Sequence, residues 1–358
     1  MNLTLLDIQR VRNLVKVTLN PASGANLIFG ENASGKTTLL ESVYVLAHAR
    51  SFRTHHLNNL IQNGNEEFKL FAELKGRKNK TSRIGIQRNH QTTKIRIDQT
   101  TIKQVSELAA RMPLQIINPA THNLIEQGPT QRRKFIDWGL FHVEQNFLST
   151  WHNFHRILKQ RNAALRSKAS REEIEIWNTP LADQAEVLTL YRTAYLDALL
   201  CYLNQFVGTL LSIDLDFTYY PGWRQGAVLE DVLTQNLKKD RDRGFTAAGP
   251  QRAELKISLA GMPAQEALSR GQQKLLVSAM RLAQIAHLKD RLEMNPIILV
   301  DDLAAELDQA HRTKLLELLQ ESGSQVFLTV TEKDLVSISS WESSKVFHVE
   351  HGHVSEVV

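Results

Sequence analysis

The chain has 358 residues, 42% of them hydrophobic, and carries 43 Lys and Arg against 38 Asp and Glu. This length suits about two domains with sizeable cores. The one cysteine, Cys201, excludes an internal disulfide framework, and its apolar neighbours predict that it is buried. No apolar run is expected to reach the length of a signal-peptide core or a membrane span, so we expect a cytoplasmic protein without a membrane partner.

Strand patterns open the chain and resume after a helical stretch. Residues 3–8 and 14–19 predict strands, the second with alternating apolar and polar side chains. Further alternation at 68–74, 84–86 and 95–97 predicts an antiparallel sheet. A phosphate-loop pattern falls after the first two predicted strands and before the three that follow. We therefore expect this sheet to lie beside a nucleotide site.

That pattern is a glycine-rich loop followed by Thr38. It fits G-x-x-x-x-G-K-[ST] at every fixed position and consists of Gly30-Glu31-Asn32-Ala33-Ser34-Gly35-Lys36-Thr37. An apolar run at 25–29 precedes it and a helical pattern at 38–49 follows, which argues against a glycine-rich turn with an incidental lysine. Backbone N–H groups of such a loop bind phosphate oxygens. Lys36 would reach the β- and γ-phosphates, and the Thr37 hydroxyl would ligate Mg²⁺.

Two segments carry an excess of positive charge. Residues 75–103 hold nine Lys and Arg against Asp98 alone, and residues 132–171 hold nine against two acids. The candidate DNA contacts are Lys75, Arg77, Lys78, Lys80, Arg132, Arg133 and Lys134. A solvated charged surface is the alternative. No base-reading motif is present, so binding is expected to follow DNA shape more than sequence.

A helical block interrupts the strand patterns from about residue 130. Ser170 begins a capping box, and Thr179-Pro180 predicts an N-cap followed by the first helical residue. Strand patterns return at 213–219 and 255–259. The helical block is therefore an insertion, and the first and third segments would form one head. The predicted segments are 1–110, 111–207 and 208–358.

A second glycine-containing turn precedes the helix predicted at 273–288. It consists of Leu268-Ser269-Arg270-Gly271-Gln272-Gln273. Backbone N–H groups and a hydroxyl at a helix N-terminus form an anion site. The candidate nucleotide contacts here are Ser269, Arg270, Gly271 and Gln272. An ordinary N-cap at Ser269 is the alternative, and the position of the turn just before an acidic strand argues against it.

Two carboxylates end the apolar run at 296–300. Asp301 is predicted to be the second anchor for Mg²⁺, and Asp302 would lie beside the γ-phosphate and orient or polarise the attacking water. A carboxylate at the end of a buried strand is costly unless a cation or hydrogen-bond donors compensate it. Capping of the next turn by both aspartates is the alternative. Lys36 and Asp302 are the predicted catalytic residues.

These motifs, in this order, resemble the ABC-type ATPase heads of the SMC class. Within that class the chain resembles the RecF family of bacterial recombination mediators over essentially its whole length. Supporting stretches are 30–41, 51–54, 128–137, 249–252 and 268–284. The resemblance implies an α/β fold, namely an ABC-type P-loop ATPase head with a central, mainly helical arm (lobe) insertion.

The resemblance also implies roles for single residues. Ser269 and Gly271 would contact the γ-phosphate bound to the opposite protomer, and Asp308 would lie in a loop that crosses the dimer interface. Two departures from the wider ABC pattern imply slow hydrolysis. Asp302 stands where transporters usually carry Glu, and Thr329-Val330-Thr331 stands where many ABC proteins have a switch histidine.

For function, the resemblance implies an ATP-dependent homodimer on duplex DNA near single-strand gaps. It would act in repair and at replication forks and would promote loading of RecA, with RecR and RecO as partners. ATP would bind with Mg²⁺, and its hydrolysis would be weak and DNA-dependent.

Two other functions fit the phosphate loop. An ATPase subunit of a membrane transporter would carry the second glycine turn much closer to the phosphate loop and would have the switch histidine. An ATP-dependent nuclease would need a cluster of metal-binding carboxylates outside the nucleotide site. The sequence shows neither pattern, so both are the weaker interpretations.

Overall fold

The structure is a computed structural model that describes residues 1–76, 80–303 and 307–357. Two of the candidate DNA contacts, Arg77 and Lys78, lie outside the described residues. The strands are β1 (Asn2–Val11), β2 (Leu14–Leu19), β3 (Ala25–Phe29), β4 (Glu67–Lys75), β5 (Thr81–Asn89), β6 (Thr93–Ile97), β7 (Thr100–Thr101), β8 (Leu114–Ile117), β9 (Asp216–Tyr220), β10 (Glu254–Leu259), β11 (Met262–Pro263), β12 (Ile297–Val300), β13 (Val326–Val330), β14 (Ser344–Glu350) and β15 (His353–Val357).

Helices of different length connect these strands. They are α1 (Lys36–His48), α2 (Val105–Arg111), α3 (Asn123–Glu126), α4 (Pro129–Val143), α5 (Phe147–Arg166), α6 (Arg171–Glu175), α7 (Asn178–Leu211), α8 (Leu229–Gln235), α9 (Leu237–Arg243), α10 (Ala264–Ala267), α11 (Arg270–Leu292) and α12 (Gln309–Glu321). Short 3-10 turns lie at Leu57–Leu60, Pro119–His122, Pro250–Arg252 and Lys333–Leu335.

The chain divides into two compact units. Met1–Thr121 and Glu293–Val358 form the terminal unit, and His122–Leu292 forms the central unit. The predicted boundaries at 110/111 and 207/208 differ from this division. β8 belongs to the terminal unit because it pairs with β12 in a parallel sheet. Residues 208–292 belong to the central unit because α11 packs along α7.

The terminal unit contains two sheets with α1 between them. The antiparallel sheet expected from the sequence has the strand order β2-β1-β4-β5-β6-β7. The second sheet has the order β15-β14-β3-β13-β12-β8 and is parallel except for the β14–β15 hairpin. α1 contacts strands of both sheets, and almost every residue from Lys36 to Ala47 is buried. Such burial on all sides is typical of a core helix.

The parallel sheet brings distant motifs to one edge. β13 lies between β3 and β12, and all three strands run in the same direction. The phosphate loop follows β3, and Asp301 and Asp302 follow β12. Ligands of open α/β sheets bind at the carboxyl ends of the strands. The topology therefore places the two predicted halves of the nucleotide site next to each other.

The central unit is mainly helical and also holds the antiparallel sheet β11-β10-β9. The capping box at Ser170 is confirmed, since its hydroxyl accepts a hydrogen bond from Glu173 N and Glu173 accepts one from Ser170 N. The N-cap predicted at Thr179 is wrong, because α7 begins one residue earlier, at Asn178. Pro180 is tolerated in the first turn, where a backbone nitrogen has no partner within the helix.

α7 corrects two expectations. Arg171–Leu211, which contains α6 and α7, is long and apolar enough to cross a membrane by length and composition, so the expectation that no segment reaches this length is wrong. α7 nevertheless packs against α4, α5 and α11, and its buried Arg192 pairs with Asp137 at 2.9 Å. Cys201 is exposed and not buried, because the helix turns it away from the face that Leu199 buries.

A fully buried ion pair joins α5 to α9. Arg161 donates to Asp240 Oδ2 at 2.8 Å, to the Thr246 hydroxyl at 2.7 Å and to Asn178 Oδ1 at 3.0 Å. Asp240 also accepts a hydrogen bond from Ala247 N at 3.0 Å. Buried charges are tolerated only when they are paired and hydrogen-bonded, so this network depends on every member.

We expect Arg161→Ala to lower the free energy of unfolding by about 3–5 kcal/mol, because the Asp240 carboxylate would stay buried without its cation. Urea unfolding followed by circular dichroism measures this change. The matched control is Arg161→Met combined with Asp240→Leu, which removes both charges and should recover most of the loss. A single variant as stable as the unmodified protein would contradict the prediction.

Candidate nucleotide site

Two glycines give the phosphate loop its shape. Gly30 and Gly35 have φ angles of 152° and 127°, in the region that favours glycine. A Cβ on Gly30 would lie 2.1 Å from the carbonyl oxygen of Val349, and a Cβ on Gly35 would lie 3.0 Å from Asn13 Nδ2. The loop backbone can follow this path only with glycine at both positions.

Two hairpin turns hold the loop in place. Asn13, in the β1–β2 turn, donates from Nδ2 to Ser34 O at 2.8 Å and accepts a hydrogen bond from the Thr38 hydroxyl at 3.2 Å. Gly352, in the β14–β15 turn, donates its N–H to the same Ser34 oxygen at 3.0 Å. Neither residue was predicted from the sequence, because no local pattern marks a contact between segments that are apart in the chain.

The Lys36 ammonium group lies inside the loop. Its Nζ donates to the carbonyl oxygens of Gly30, at 2.7 Å, and Glu31, at 2.8 Å. Burial lowers the pKa of Lys36, and the two aspartates after β12 act in the opposite direction. Within the described structure, the buried Ser34 hydroxyl has no hydrogen-bond partner. A bound phosphate would neutralise the lysine and accept a hydrogen bond from this hydroxyl.

Hydrogen bonds join the phosphate loop to the two aspartates that follow β12. The Thr37 hydroxyl donates to Asp301 Oδ1 at 3.0 Å, although the two residues are 264 positions apart. Thr329, in β13, donates its hydroxyl to the same oxygen at 2.7 Å and accepts a hydrogen bond from Asp302 N at 2.8 Å. Asp302 has a φ of 56°, which is uncommon for a residue other than glycine. Thr329 therefore positions both aspartates. The sequence did not predict this role, because Thr329 was noted only as part of the segment where many ABC proteins have a switch histidine.

These side chains suit Mg²⁺ and a nucleotide. Mg²⁺ prefers oxygen ligands and is usually held by one or two carboxylates together with substrate phosphates. Burial raises the pKa of Asp301, although hydrogen bonds from Thr329 and Thr37 oppose the shift. A cation beside Asp301 would offset the cost of burying its charge. In the described ranges, no group of three or more His, Cys, Asp and Glu side chains forms another candidate metal site.

A buried carboxylate holds two arginines beside the phosphate loop. Glu41, on α1, is fully buried and accepts hydrogen bonds from Arg12 at 2.6 and 2.9 Å. Arg53 Nη1 lies 3.6 Å from Glu41 Oε2, and the Ser51 hydroxyl donates to Glu41 Oε1. Both arginines line a cavity of 580 Å³, together with Lys36, Asp301 and Asp302. Arg12, Glu41 and Arg53 were not predicted as site residues from the sequence, although an acid within an apolar helix was a usable signal.

The second glycine turn lies in the central unit and begins α11. Ser269 Oγ accepts a hydrogen bond from Gln272 N at 3.3 Å, and Gln272 Oε1 accepts one from Ser269 N at 3.0 Å. Ser269 is therefore an N-cap, and Ser269 to Gln272, including Arg270, are exposed. A Cβ on Gly271 would meet no atom within 4 Å, so the packing of the described chain does not require glycine there.

Asp308, expected at a dimer interface, is the N-cap of α12. Its carboxylate accepts a hydrogen bond from His311 N at 3.0 Å and lies 2.7 Å from His311 Nδ1. These contacts hold the pKa of Asp308 below its usual value. The structure thus shows local capping by both Ser269 and Asp308, and their contacts with a second chain stay predictions.

The candidate DNA contacts fall into two groups. Arg132 pairs with Glu254 at 2.7 Å and donates to two backbone carbonyls. Arg133 donates to a backbone carbonyl oxygen at 2.7 Å, and burial lowers its pKa. Their guanidinium groups already have partners within the central unit, so we no longer expect them to contact DNA. The exposed candidates are Lys75, Lys80 and Lys134.

Comparisons with known proteins identify the family of this chain. The family model described as the RecF/RecN/SMC N-terminal domain matches residues 2–355. The chain is 41% identical over 360 residues to the DNA replication and repair protein RecF of Shewanella sediminis, and 40% identical over 361 residues to that of Shewanella frigidimarina. Both alignments cover 100% of this chain and of the relative. The chain belongs to the RecF family.

Solved structures agree with the RecF family fold. The recombination mediator protein RecF with ATP, in the RecFOR pathway, matches with a TM-score of 0.88 and 25% identity, over 100% of this chain and 98% of that one. An Smc head bound to the C-terminal winged-helix domain of ScpA matches with a TM-score of 0.63 and 13% identity, over 100% of this chain and 97% of that one. The predicted α/β ATPase-head fold is confirmed.

We expect Thr329→Val to lower ATP turnover about five- to 150-fold, because removing a hydrogen bond to a buried polar group costs about 1–3 kcal/mol. Steady-state phosphate release measures turnover, and titration with a fluorescent ATP analogue measures affinity. Thr329→Ser keeps the hydroxyl and should turn over near the unmodified rate. Equal turnover in the valine and serine variants would show that Thr329 does not position the aspartates.

Proposed function

We propose that this RecF family member is an ATP-gated DNA clamp that acts in DNA replication and repair. The relatives matched over their full length are named DNA replication and repair protein RecF. The matched RecF structures contain ATP or an ATP analogue and belong to the RecFOR pathway. These likenesses support ATP as the nucleotide and DNA repair as the process.

One observation carries the proposal more than any other. Lys36 and Thr37 of the phosphate loop meet Asp301 and Asp302 at the carboxyl edge of one parallel sheet, and Thr37 and Asp301 are hydrogen-bonded. Each residue then has a task that its chemistry allows. Lys36 binds the β- and γ-phosphates, Thr37 and Asp301 supply oxygen ligands, and Asp302 orients the attacking water. Bound Mg²⁺ would neutralise negative charge on the phosphates.

Hydrolysis in this site is slow and acts as a switch. Asp302 carries the water-orienting carboxylate on a shorter side chain than glutamate. The segment Thr329-Val330-Thr331 stands where many ABC proteins have a histidine that contacts the γ-phosphate. The Thr329 hydroxyl is already committed to Asp301 and Asp302. Because the attacking water and the γ-phosphate are held less closely, hydrolysis is slow. The protein therefore stays bound to ATP long enough for the bound state itself to act as the signal.

The nucleotide is shared between two protomers in this proposal. Exposure of Ser269 and Gly271 supports it, because the helix N-terminus they form has free space above it in the single chain. Glycine at 271 lets a phosphate of the partner protomer approach the backbone. Asp308 is exposed at the start of α12, which leaves it accessible to a partner protomer, as the proposal requires.

The closed dimer holds duplex DNA near single-strand gaps and promotes RecA loading. The lysines at 75, 80 and 134 supply positive charge for the phosphate backbone. The RecFOR context of the matched structures supports RecO and RecR as partners. The work takes place in the cytoplasm, where ATP and chromosomal DNA meet.

Ser269→Arg should leave ATP affinity unchanged and abolish ATP-dependent dimerisation, because the arginine would fill the space that the γ-phosphate of the partner needs. Lys36→Ala should lose ATP binding itself. Light scattering with and without ATP measures the dimer, and a fluorescent analogue measures binding. Ser170→Arg is the matched control, since it also removes an exposed N-cap serine of the central unit. Dimerisation of Ser269→Arg with ATP would refute the shared site.

Replacing Lys75, Lys80 and Lys134 together by Gln should weaken duplex DNA binding, because fewer DNA phosphates are then neutralised. The slope of log K against log salt should fall by about 0.9 for each phosphate that no longer has a lysine beside it. Fluorescence anisotropy at several salt concentrations measures both the affinity and the slope. An unaltered slope in the triple variant would exclude these lysines from the DNA surface.

The control for this triple variant is Arg132→Gln, which removes a cation that is already paired with Glu254. It should lower the stability of the protein and leave the salt slope unchanged.

A further inference from the structure

Helix α7 keeps one face exposed to solvent. Exposed residues recur there at intervals of three or four, so they form one stripe along the helix. The outer stripe of α7, as we name it, consists of Asp183, Glu186, Leu190, Ala194, Asp197 and Cys201. It is about 27 Å long, because an α-helix rises about 1.5 Å per residue. The opposite side of α7 packs against α4, α5 and α11 within the central unit, so the outer stripe is available to a partner.

α7 is unusually apolar for a helix with an exposed face. Only 33% of the most apolar stretch within Arg171–Leu211 is buried, whereas the core helix of a soluble unit would be mostly buried. On the outer stripe, the Leu190 side chain is 67% exposed. Ala194, Leu200 and Cys201 are also exposed and continue this apolar surface. Contiguous exposed apolar surface marks an interaction site.

The spacing of the outer stripe fits a second helix. Asp183, Leu190 and Asp197 follow one another at intervals of seven residues. Ala194 and Cys201 form a second row and are also seven residues apart. Two rows with a seven-residue repeat form the seam along which helices pair in coiled coils. The small side chains in the second row let a partner helix approach closely.

The charge of the outer stripe is negative only. Asp183, Glu186 and Asp197 lie on it and form no hydrogen bond or ion pair with any residue that the structure describes. Arg192 is the one basic residue of α7, and it is buried and paired with Asp137. Complementary charge selects the partner and fixes the register of an interface. The stripe therefore favours a helix that presents lysine or arginine beside its apolar side chains.

Three other occupants fit the outer stripe less well. Parallel pairing with a second copy of α7 would set each acid against itself. Antiparallel pairing about Leu190 and Ala194 would set Glu186 beside Asp197 of the second copy, which is also repulsive. DNA phosphates would be repelled by the same acids. A lipid bilayer would have to take up three carboxylates, which is costly.

We propose that the outer stripe of α7 binds an amphipathic helix of another protein, one that carries lysine or arginine on both sides of an apolar row. Leu190 inserts into that row, and Ala194 and Cys201 allow the two helices to approach. The acids of the stripe pair with the cations of the partner. This inference goes beyond the proposed clamp, because neither the nucleotide site nor a DNA contact contributes to it.

A pair of synthetic peptides tests the chemistry of the partner. We expect the full chain to bind a fluorescein-labelled helix of about three heptads that has leucine and alanine along its seam and lysine on both sides. A matched peptide with glutamate in place of each lysine should bind at least about tenfold more weakly, because like charges would then face each other. Fluorescence anisotropy measures both affinities without ATP or DNA.

Leu190→Gln tests the place of binding. It should lower the affinity for the lysine peptide about 10- to 150-fold, the range that burial of one leucine side chain contributes. Glutamine favours helix and Leu190 is exposed, so α7 should fold normally, which circular dichroism checks. The matched control is Ile176→Gln, because Ile176 lies just before α7 and its side chain is 66% exposed. The control should bind the lysine peptide normally.

Glu186→Lys combined with Asp197→Lys tests the role of charge. This double variant should bind the glutamate peptide more tightly than the lysine peptide, because the sign of the outer stripe is reversed. Added salt should weaken the preferred pairing in both proteins, since these charges are exposed. An unchanged preference for the lysine peptide would overturn the assignment.

The remaining outcomes are equally decisive. If the lysine peptide does not bind, or if Leu190→Gln and Ile176→Gln lose the same affinity, the outer stripe is not a site for a basic helix. Sedimentation velocity without ATP tests the second copy as occupant. Self-association that Leu190→Gln abolishes would overturn the proposal in favour of that occupant. Because these assays need neither ATP nor DNA, their failure leaves the proposed clamp intact.

Discussion

Asp301 accepts hydrogen bonds from two threonines, one at the start of α1 and one in β13, and the candidate nucleotide site depends on this convergence. Thr37 belongs to the phosphate loop near the start of the chain, and Thr329 belongs to β13 near its end. The buried Asp301 carboxylate therefore connects the phosphate loop to the end of β12 before any ligand binds. Hydroxyl donors meet its burial cost in the free protein, and in the proposed nucleotide complex a cation would add to them.

The sequence predicted the parts of this site that obey local rules. The phosphate loop, the strand before it and the helix after it form a contiguous pattern, and the antiparallel sheet follows from alternating side chains. Asn13, Gly352 and Glu41 were missed, because each acts through a contact that only the folded chain creates. Local patterns specify elements, whereas tertiary contacts decide which polar side chains meet.

Local composition was a poor guide for residues whose role depends on their surroundings in the fold. Arg132 looked like a DNA contact in a basic segment, but it is paired with Glu254 inside the central unit. Cys201 has apolar neighbours in sequence and lies on the exposed side of α7. Two positions apart on a helix is more than half a turn, so a neighbour in sequence can face the opposite way. Charge counts and apolar runs cannot supply this directional information.

The β14–β15 turn has a consequence for how the protein is made. Gly352 donates a hydrogen bond to Ser34, and Val349 packs against Gly30, so the phosphate loop rests on residues that follow it by more than 300 positions. β3 is likewise flanked by β13 and β14, both of which are synthesised late. A ribosome-bound chain can hold the phosphate loop through Asn13, but it lacks the contacts of the β14–β15 turn until residue 352 has emerged. The full set of contacts around the phosphate loop therefore forms only after residue 352 has left the ribosome.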